Sequence, residues 1–552
     1  MMPAHLNPPI PNKNKFSLIL QDLHRWKLWA AFPPALVIFA ILFSQVVFLW
    51  FDTEGTWNPL LPHSNGFIQY YDYQADSLLQ GRLDVPRDAI WGDAFVVNGK
   101  YYGYFGIAPA LLRIPLNIIF PSMWGRWSIL FLWLGSTANL LVAYYLFREI
   151  SGLLALSDPA DPAASSKRRD LFIALLILVL GLGSTNIFLS ASASVYHEAI
   201  VLGCAFCLLT CLVWIKFFRS PSIWKFLWIL IFGFFTVFSR VTFGVYVLLL
   251  VGFLLVFFVV QKWRPQVKMI PLKESQLWPY IAGFLLFILF TIGLYGLINQ
   301  LKFGSPFESH PYQYYPNVLN DPVRYARTVG QDFFVQNIPM MASLYFFPVD
   351  VQFLHNFPPF LSNRVDPSRF PATHWDWFEP IVPLPFCMTL ELLLAGVGLF
   401  SLYKHRRSLI LLIPIISTAA AFPMMFMFNS ASQRYEQEFF PFLVLTNILG
   451  FLFISGVTQN RNSPLPAKDP PPVGHSKFVN GLKKLVIVVL LAAGIFSIYQ
   501  SLAITYSGQM NSGFLVDAHR RLELKSITQN IDHQMSLFKK DVKNILLPQH
   551  KV

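Results

Sequence analysis

Charge is scarce in this chain. Only 13% of its 552 residues are Asp, Glu, Lys or Arg, against 55% hydrophobic residues. Soluble domains carry about twice that share of charge. The shortage excludes a disordered chain and a soluble enzyme. Cysteine is scarce too, with four residues, which excludes a disulfide scaffold. No N-x-Ser/Thr sequon occurs, as fits a bacterial source. No repeat of fixed period recurs, whereas transporters are often built from repeats. Long apolar blocks fill the space instead, and a block of roughly 20 such residues spans a bilayer. The chain reads as an all-α polytopic membrane protein.

Eleven spans are expected, near 28–51, 127–147, 171–190, 198–218, 223–239, 241–260, 279–298, 381–402, 408–428, 437–457 and 485–506. The first follows Lys13, Lys15, Arg25 and Lys27. It is longer than a signal-peptide core and reads as an uncleaved span. Residues 1–27 form a cytoplasmic N-terminus, 28–506 the membrane domain and 507–552 a tail.

Net charge is +13, but the cations sit beside spans, so no nucleic-acid partner is expected. With the N-terminus inside, the cytoplasmic segments hold 23 Lys and Arg against seven acids. The two large outer loops, 52–126 and 299–380, hold five Lys and Arg and seven acids each. This is the positive-inside pattern. The tail after 506 does not follow it, with seven Lys and Arg placed outside. Segment 458–484, with Pro464, Pro466 and Pro470–Pro472, reads as a cytoplasmic linker. Loop 299–380 has 18 aromatics and 11 prolines, so it should fold. Cys204, Cys207 and Cys211 share one helix face and read as packing residues.

The first outer loop should hold an amphipathic helix over 66–80, ended by Gly81. Asp72 and Asp76 then lie four apart on one face, where like charges repel mildly. Either they meet a cation or share a proton, or they form a solvated face. Asn98-Gly99 predicts a hairpin turn. A second helix over 108–119 carries Arg113 in an apolar run, from where it can snorkel to phosphate. Arg240 lies between two spans, and Arg434 in a short outer loop near Glu436 and Glu438. Each is either a phosphate ligand or a structural anchor, because a central Arg costs about 2.5–3.5 kcal/mol on insertion. Glu391, inside a span, needs an internal partner. His374, Asp376, His310 and His355 are too spread out to read as a metal site, so none is expected.

Several stretches together resemble integral-membrane glycosyltransferases of the GT-C class, in the protein O-mannosyltransferase and aminoarabinose transferase branches. They are YQADSLLQGRL and NGKYYGYFGIAPALLRIPL in the first loop, FTVFSRVTFGVYVLLL (235–250), INQLKFGSPFESHPY (298–312) and NSASQRYEQEFFPFLVL (429–445). The resemblance implies a polyprenyl-phosphate-linked sugar donor and a glycan, lipid or protein acceptor, used at the outer face. It implies an inverting transfer with a first-loop Asp as general base and cations for the departing phosphate. Relatives place the acid seven or eight residues before the Ala matched by Ala75. Phe67 and Ile68 stand there, so the candidates become Asp52, Asp72 and Asp76, with Glu54 nearby. Arg113, Arg240 and Arg434 are the candidate phosphate ligands. Tyr71, His197, Glu198 and His310 are candidates to line the cavity. No cofactor is implied, and a divalent metal stays an open alternative. The expected location is a bacterial inner membrane, among its lipids. Two other classes stay in view: a transporter or lipid flippase, and a non-catalytic protein that kept the fold.

Overall fold

The computed structural model describes residues 57–61, 66–154, 173–264, 272, 277–308, 310–330, 333–347, 351–354, 358–363, 366–379, 381–404, 409–454 and 473–511, with scattered positions between 35 and 46. Asp52, Glu54, His355 and most of the expected first span lie outside the described residues.

Seven described helices are long and apolar enough to cross a membrane. They answer the expected spans 127–147, 198–218, 241–260, 279–298, 408–428, 437–457 and 485–506. Segments 171–190, 223–239 and 381–402 carry shorter apolar helices. The protein is an all-α polytopic integral membrane protein.

The first outer loop opens with α1, Tyr70–Leu79, shorter than expected at its start. Its end is as the sequence implies, because Gly81 takes φ +69°, a left-handed conformation that glycine adopts without strain. Strands β1 (Phe95–Val97) and β2 (Lys100–Tyr102) pair antiparallel with Phe95 opposite Tyr102. Asn98 and Gly99 make the expected turn, both with positive φ. Helix α2, Ala108–Ile119, matches its expected bounds.

The spans begin with α3 (Ser128–Leu154), whose 27 residues reach about 40 Å at 1.5 Å per residue. The block 171–190 breaks in two, α4 (Ile173–Leu182) and α5 (Thr185–Ser190). The reason is local: Ser184 accepts a hydrogen bond from the Asn186 N–H and so starts a new helix. Next come α6 (Val195–Arg219), α7 (Ile223–Ser239), α8 (Val241–Trp263) and α9 (Leu277–Phe303).

The second outer loop folds, as its aromatic content predicts. It contains α10 (Pro322–Thr328), α11 (Ile338–Tyr345) and the antiparallel pair β3 (Val351–Leu354) and β4 (Phe360–Asn363). The chain returns through α12 (Thr389–Lys404), α13 (Leu409–Thr418) and α14 (Ala421–Met427). A 3-10 turn, Gln433–Phe439, then leads into α15 (Phe440–Ile454). Pro441 has no N–H to return to Gln437, so the α-helical ladder starts only after it. The last helix, α16, runs Val473–Asn511, 39 residues. Residues 473–484, expected as the later part of the 458–484 linker, are therefore helical, and 458–472 lie outside the described residues.

The tightest helix contact is between α12 and α15. A Cβ at Gly398 would come within 2.0 Å of the Thr446 carbonyl oxygen, and one at Gly450 within 2.0 Å of the Leu394 carbonyl oxygen. Without side chains at these two positions the backbones touch, the usual route to close packing in lipid. Cys204, Cys207, Cys211 and Cys387 are all buried and free, in line with the packing reading.

Candidate active site

Two groups of charged side chains lie at the span ends next to the two large loops, one sealed and one open.

The sealed group sits between α1, α2, α3 and α6. Arg113 Nη1 donates to Asp72 Oδ2 at 2.6 Å, and Nη2 donates to both Glu198 oxygens at 2.6 and 2.7 Å. Asn117 Nδ2 donates to Asp72 Oδ1 at 3.0 Å, and the Trp127 indole donates to Asn117 at 2.8 Å. The side chains of Asp72, Arg113 and Glu198 are 0% exposed. The guanidinium also lies 5.0 Å from the Phe131 ring. Tyr71, fully buried beside it, donates to the Val195 carbonyl at 3.1 Å.

This corrects four expectations. Asp72 does meet a cation, but the partner shields it from any acceptor. Arg113 does not snorkel to phosphate, because two carboxylates hold it inside. Glu198 and Tyr71 belong to the same enclosed cluster and do not line the cavity. The fifth candidate, Asp76, also stands off the cavity. It accepts a hydrogen bond from Trp124 Nε1 at 2.9 Å. Partial burial raises its carboxyl pKa above the usual value, with the Trp124 bond opposing and the Asp72 charge adding.

The open group lines a cavity of about 1190 Å³. One wall is made by the ends of spans: the α5–α6 joint with Tyr196 and His197, the Gln433–Tyr435 turn, and the end of α16 at Ile504–Gly508. The other wall is built by the outer loops, with Asp88, Asp93, Tyr315, Arg324, Asp376 and Trp377.

On the span wall, Arg434 Nη1 donates to Glu379 Oε1 and Oε2 at 2.8 and 3.0 Å. Its guanidinium lies 4.5 Å from the Tyr196 ring and 5.2 Å from the Tyr435 ring. Its Nε is enclosed without a hydrogen-bond partner among the described residues. Ser432 donates to the same Glu379 carboxylate. Arg240 stands just behind: it donates from Nε to Glu438 at 2.8 Å and lies 5.3 Å from the Tyr435 ring. Thr242 holds the other Glu438 oxygen at 2.6 Å.

His197 and His310 line this cavity. His197 shares a hydrogen bond between Nδ1 and the Ser192 carbonyl at 2.8 Å. The His310 ring lies 4.4 Å from Tyr104. Burial, reinforced by the nearby Arg240 charge, pushes the His310 pKa down to about 3, so its imidazole is neutral.

On the loop wall, the Asp93 carboxylate accepts hydrogen bonds from the Tyr196 hydroxyl and, at 2.8 Å, from the Tyr315 hydroxyl. It thereby ties the first loop to both the spans and the second loop. Burial and the Asp93 charge raise the Tyr315 pKa. Asp88 is exposed to the cavity, and its carboxylate has no hydrogen-bond or ion-pair partner among the described residues. Arg324 donates from Nη2 to Asp376 Oδ2 at 3.0 Å and lies 5.5 Å from the Tyr315 ring.

Sequence reasoning missed Asp88, Asp93, Tyr196, Arg324 and Glu379. Asp88 and Asp93 are five positions apart, the others lie far from them and from each other in the chain, and no spacing rule links the set. The available signal was weaker: Asp88 and Asp93 fall in a Pro- and Gly-containing stretch between α1 and a strong hairpin, where a polar side chain is easily presented. Among the described residues, no three His, Cys, Asp or Glu side chains cluster as a metal site. His374 and Asp376 do not share a ligand position. The His374 ring faces the Arg327 carbonyl and Phe334, while Asp376 holds Arg324. Both oxygens of the buried Glu391 lack a hydrogen-bond partner among the described residues.

No protein-family profile matches the chain. No curated protein matches it either. Among solved structures it is similar to the oligosaccharyltransferase of Archaeoglobus fulgidus in three forms. The apo form is 11% identical with a TM-score of 0.42, covering 84% of this chain and 56% of that one. The complex with an inhibitory peptide and a dolichol-phosphate is 11% identical, with a TM-score of 0.43 and the same coverage. The form tethered to an acceptor peptide with an NVT sequon is 13% identical, with a TM-score of 0.41, covering 86% and 55%. The chain thus spans little more than half the length of these proteins.

Proposed function

We propose that this protein transfers a sugar from a polyprenyl-phosphate-linked donor to an acceptor hydroxyl at the outer face of a bacterial inner membrane, with its N-terminus in the cytoplasm. One observation carries the reading. A first-loop acid without a side-chain partner, Asp88, lines the same cavity as Arg434, whose guanidinium stays partly exposed there.

The roles follow from the chemistry. Asp88 takes the proton from the acceptor hydroxyl as that oxygen attacks the anomeric carbon. The lipid phosphate leaves from the opposite side, so the sugar inverts. Arg434 meets the phosphate charge as it develops, in a site shielded from bulk water where such contacts count most. Glu379 and Ser432 hold Arg434 in place, and Arg240 adds positive potential behind Tyr435. Asp93, held by two tyrosines, positions the loop. Asp52, outside the described residues, remains the other candidate base from the first loop. Phe188 and the end of α16 flank the cavity on the lipid side and suit a polyprenyl chain.

The test is transfer by the full chain in nanodiscs, supplied with a radiolabelled pool of polyprenyl-phosphate sugars and a membrane extract as acceptor. Loss of label transfer in Asp88→Asn, with folding intact, supports the assignment. Loss in Asp52→Asn alone moves the base there. Neither donor binding nor transfer by the wild type would sink the glycosyltransferase reading and favour a transporter or a fold-retaining scaffold.

A further inference from the structure

The loop-built wall of the cavity differs chemically from the span wall. Its main surface is Trp377. Residues 376–379 are fixed by backbone hydrogen bonds to the 429–431 strip. Asp376 N–H donates to the Asn429 carbonyl at 2.7 Å, Ala431 N–H to the Trp377 carbonyl at 3.0 Å, and Glu379 N–H to the Ala431 carbonyl at 2.9 Å. The neighbours Trp375 and Phe378 stack on each other, 5.2 Å apart and 17° from parallel. Trp377 instead leaves its indole 59% exposed on the cavity. A rigid backbone that presents an unpacked indole to an enclosed space is a platform awaiting a partner.

Other groups that line the same wall are planar and polar. Asp376 and Arg324 form a two-bond pair, and Arg324 lies over Tyr315. Asn317 donates to the Gly92 carbonyl at 2.9 Å and holds the Tyr315 side. An aromatic face takes the C–H side of a sugar ring, while flat amide, carboxylate and guanidinium groups take its hydroxyls in pairs. A peptide acceptor would call for an open strand edge or apolar side-chain pockets. Lipid would avoid the carboxylates of Asp88, Asp93 and Asp376.

We propose that this wall is a carbohydrate subsite that holds the acceptor as a saccharide, with Trp377 as its stacking platform. The proposal rests on the glycosyl-transfer reading for the word acceptor, but saccharide binding itself is measurable without transfer.

The experiment is saturation-transfer NMR on the full chain in nanodiscs, with a panel of methyl glycosides and disaccharides and, separately, short Ser- and Thr-containing peptides. A saccharide is expected to bind, Trp377→Ala to weaken it by about tenfold, and Trp377→Tyr to restore most of the loss. Val335→Ala, an equally exposed apolar position elsewhere in the second loop, should change nothing. Failure of every saccharide to bind, or binding unaffected by Trp377→Ala, overturns the proposal. So does peptide binding in place of saccharide binding. If a polyprenyl-phosphate sugar displaces the free saccharide competitively, the wall holds the donor's sugar and the acceptor assignment falls. Saccharide binding without any transfer would instead refute the enzymatic reading and leave the subsite standing.

Discussion

The Arg113 cluster and the Arg434 site use the same ingredients with opposite results. Each has a guanidinium, carboxylates and flanking aromatic rings near the span ends next to the two large loops. Arg113 is wholly enclosed, and its two terminal nitrogens are committed to Asp72, Glu198 and Ser128. Arg434 is 16% exposed, bonds one carboxylate through one nitrogen, and faces an open cavity. Enclosure turns charge into structure, because a buried ion that loses its partner has no water to replace it. Partial exposure leaves charge for a ligand. The identity of the residues does not separate the two cases; their exposure to the cavity does.

The largest expected effect breaks the sealed cluster. Arg113→Ala strands two buried carboxylates, so the folded state should lose about 3–5 kcal/mol. Thermal unfolding in detergent should show a large drop or no folded protein. Arg434→Ala should leave the unfolding temperature within a few degrees of wild type. An equal loss in both would erase the distinction.

Activity should sort the other way. Arg434→Ala should lower kcat/KM by about 10²–10³-fold, as for loss of one preorganised charge contact. Asp88→Asn should lower kcat by about 10²–10⁴-fold, the range of a general base. Asp76→Asn, off the cavity, should keep most activity in the same label-transfer assay.

His310 offers a smaller effect with a defined sign. Its folded pKa, about 3, lies below the ordinary 6.5. Between those values the unfolded chain binds a proton that the folded chain does not, so stability falls as pH is lowered. Denaturant midpoints should therefore be flat in this component above pH 6.5 and decline towards pH 3. His310→Phe should flatten part of that decline. An unchanged profile would mean that the imidazole is not held neutral.

The smallest effect concerns Glu391. A buried carboxyl without partners favours unfolding, so Glu391→Met should raise the unfolding temperature slightly or leave it unchanged. A marked fall would reveal a partner outside the described residues.

Much of the scaffold was legible in the residue pattern. Apolar runs gave most span positions, since the bilayer demands length and hydrophobicity whatever the tertiary contacts. Asn98-Gly99 gave its hairpin and Gly81 its helix end, because positive φ is a local property. The break within 171–190 was missed, although Ser184 carried a capping signal that a hydropathy count does not register. Site residues were read less well. His197, His310 and Arg434 lie at the cavity, but Asp72 and Arg113 were drawn together across 41 positions. An unpaired Asp and a paired Asp look identical in a sequence.

By itself, the sequence determined that this chain lies in a membrane, where most of its described helices run, that the two large loops fold, and the glycosyltransferase class it resembles. These follow from the bilayer as solvent and from backbone preferences that act over a few residues. Only the tertiary structure decided which charges are enclosed and which face the cavity. That choice depends on partners distant in the chain, and on whether water still reaches a group once those partners are in place.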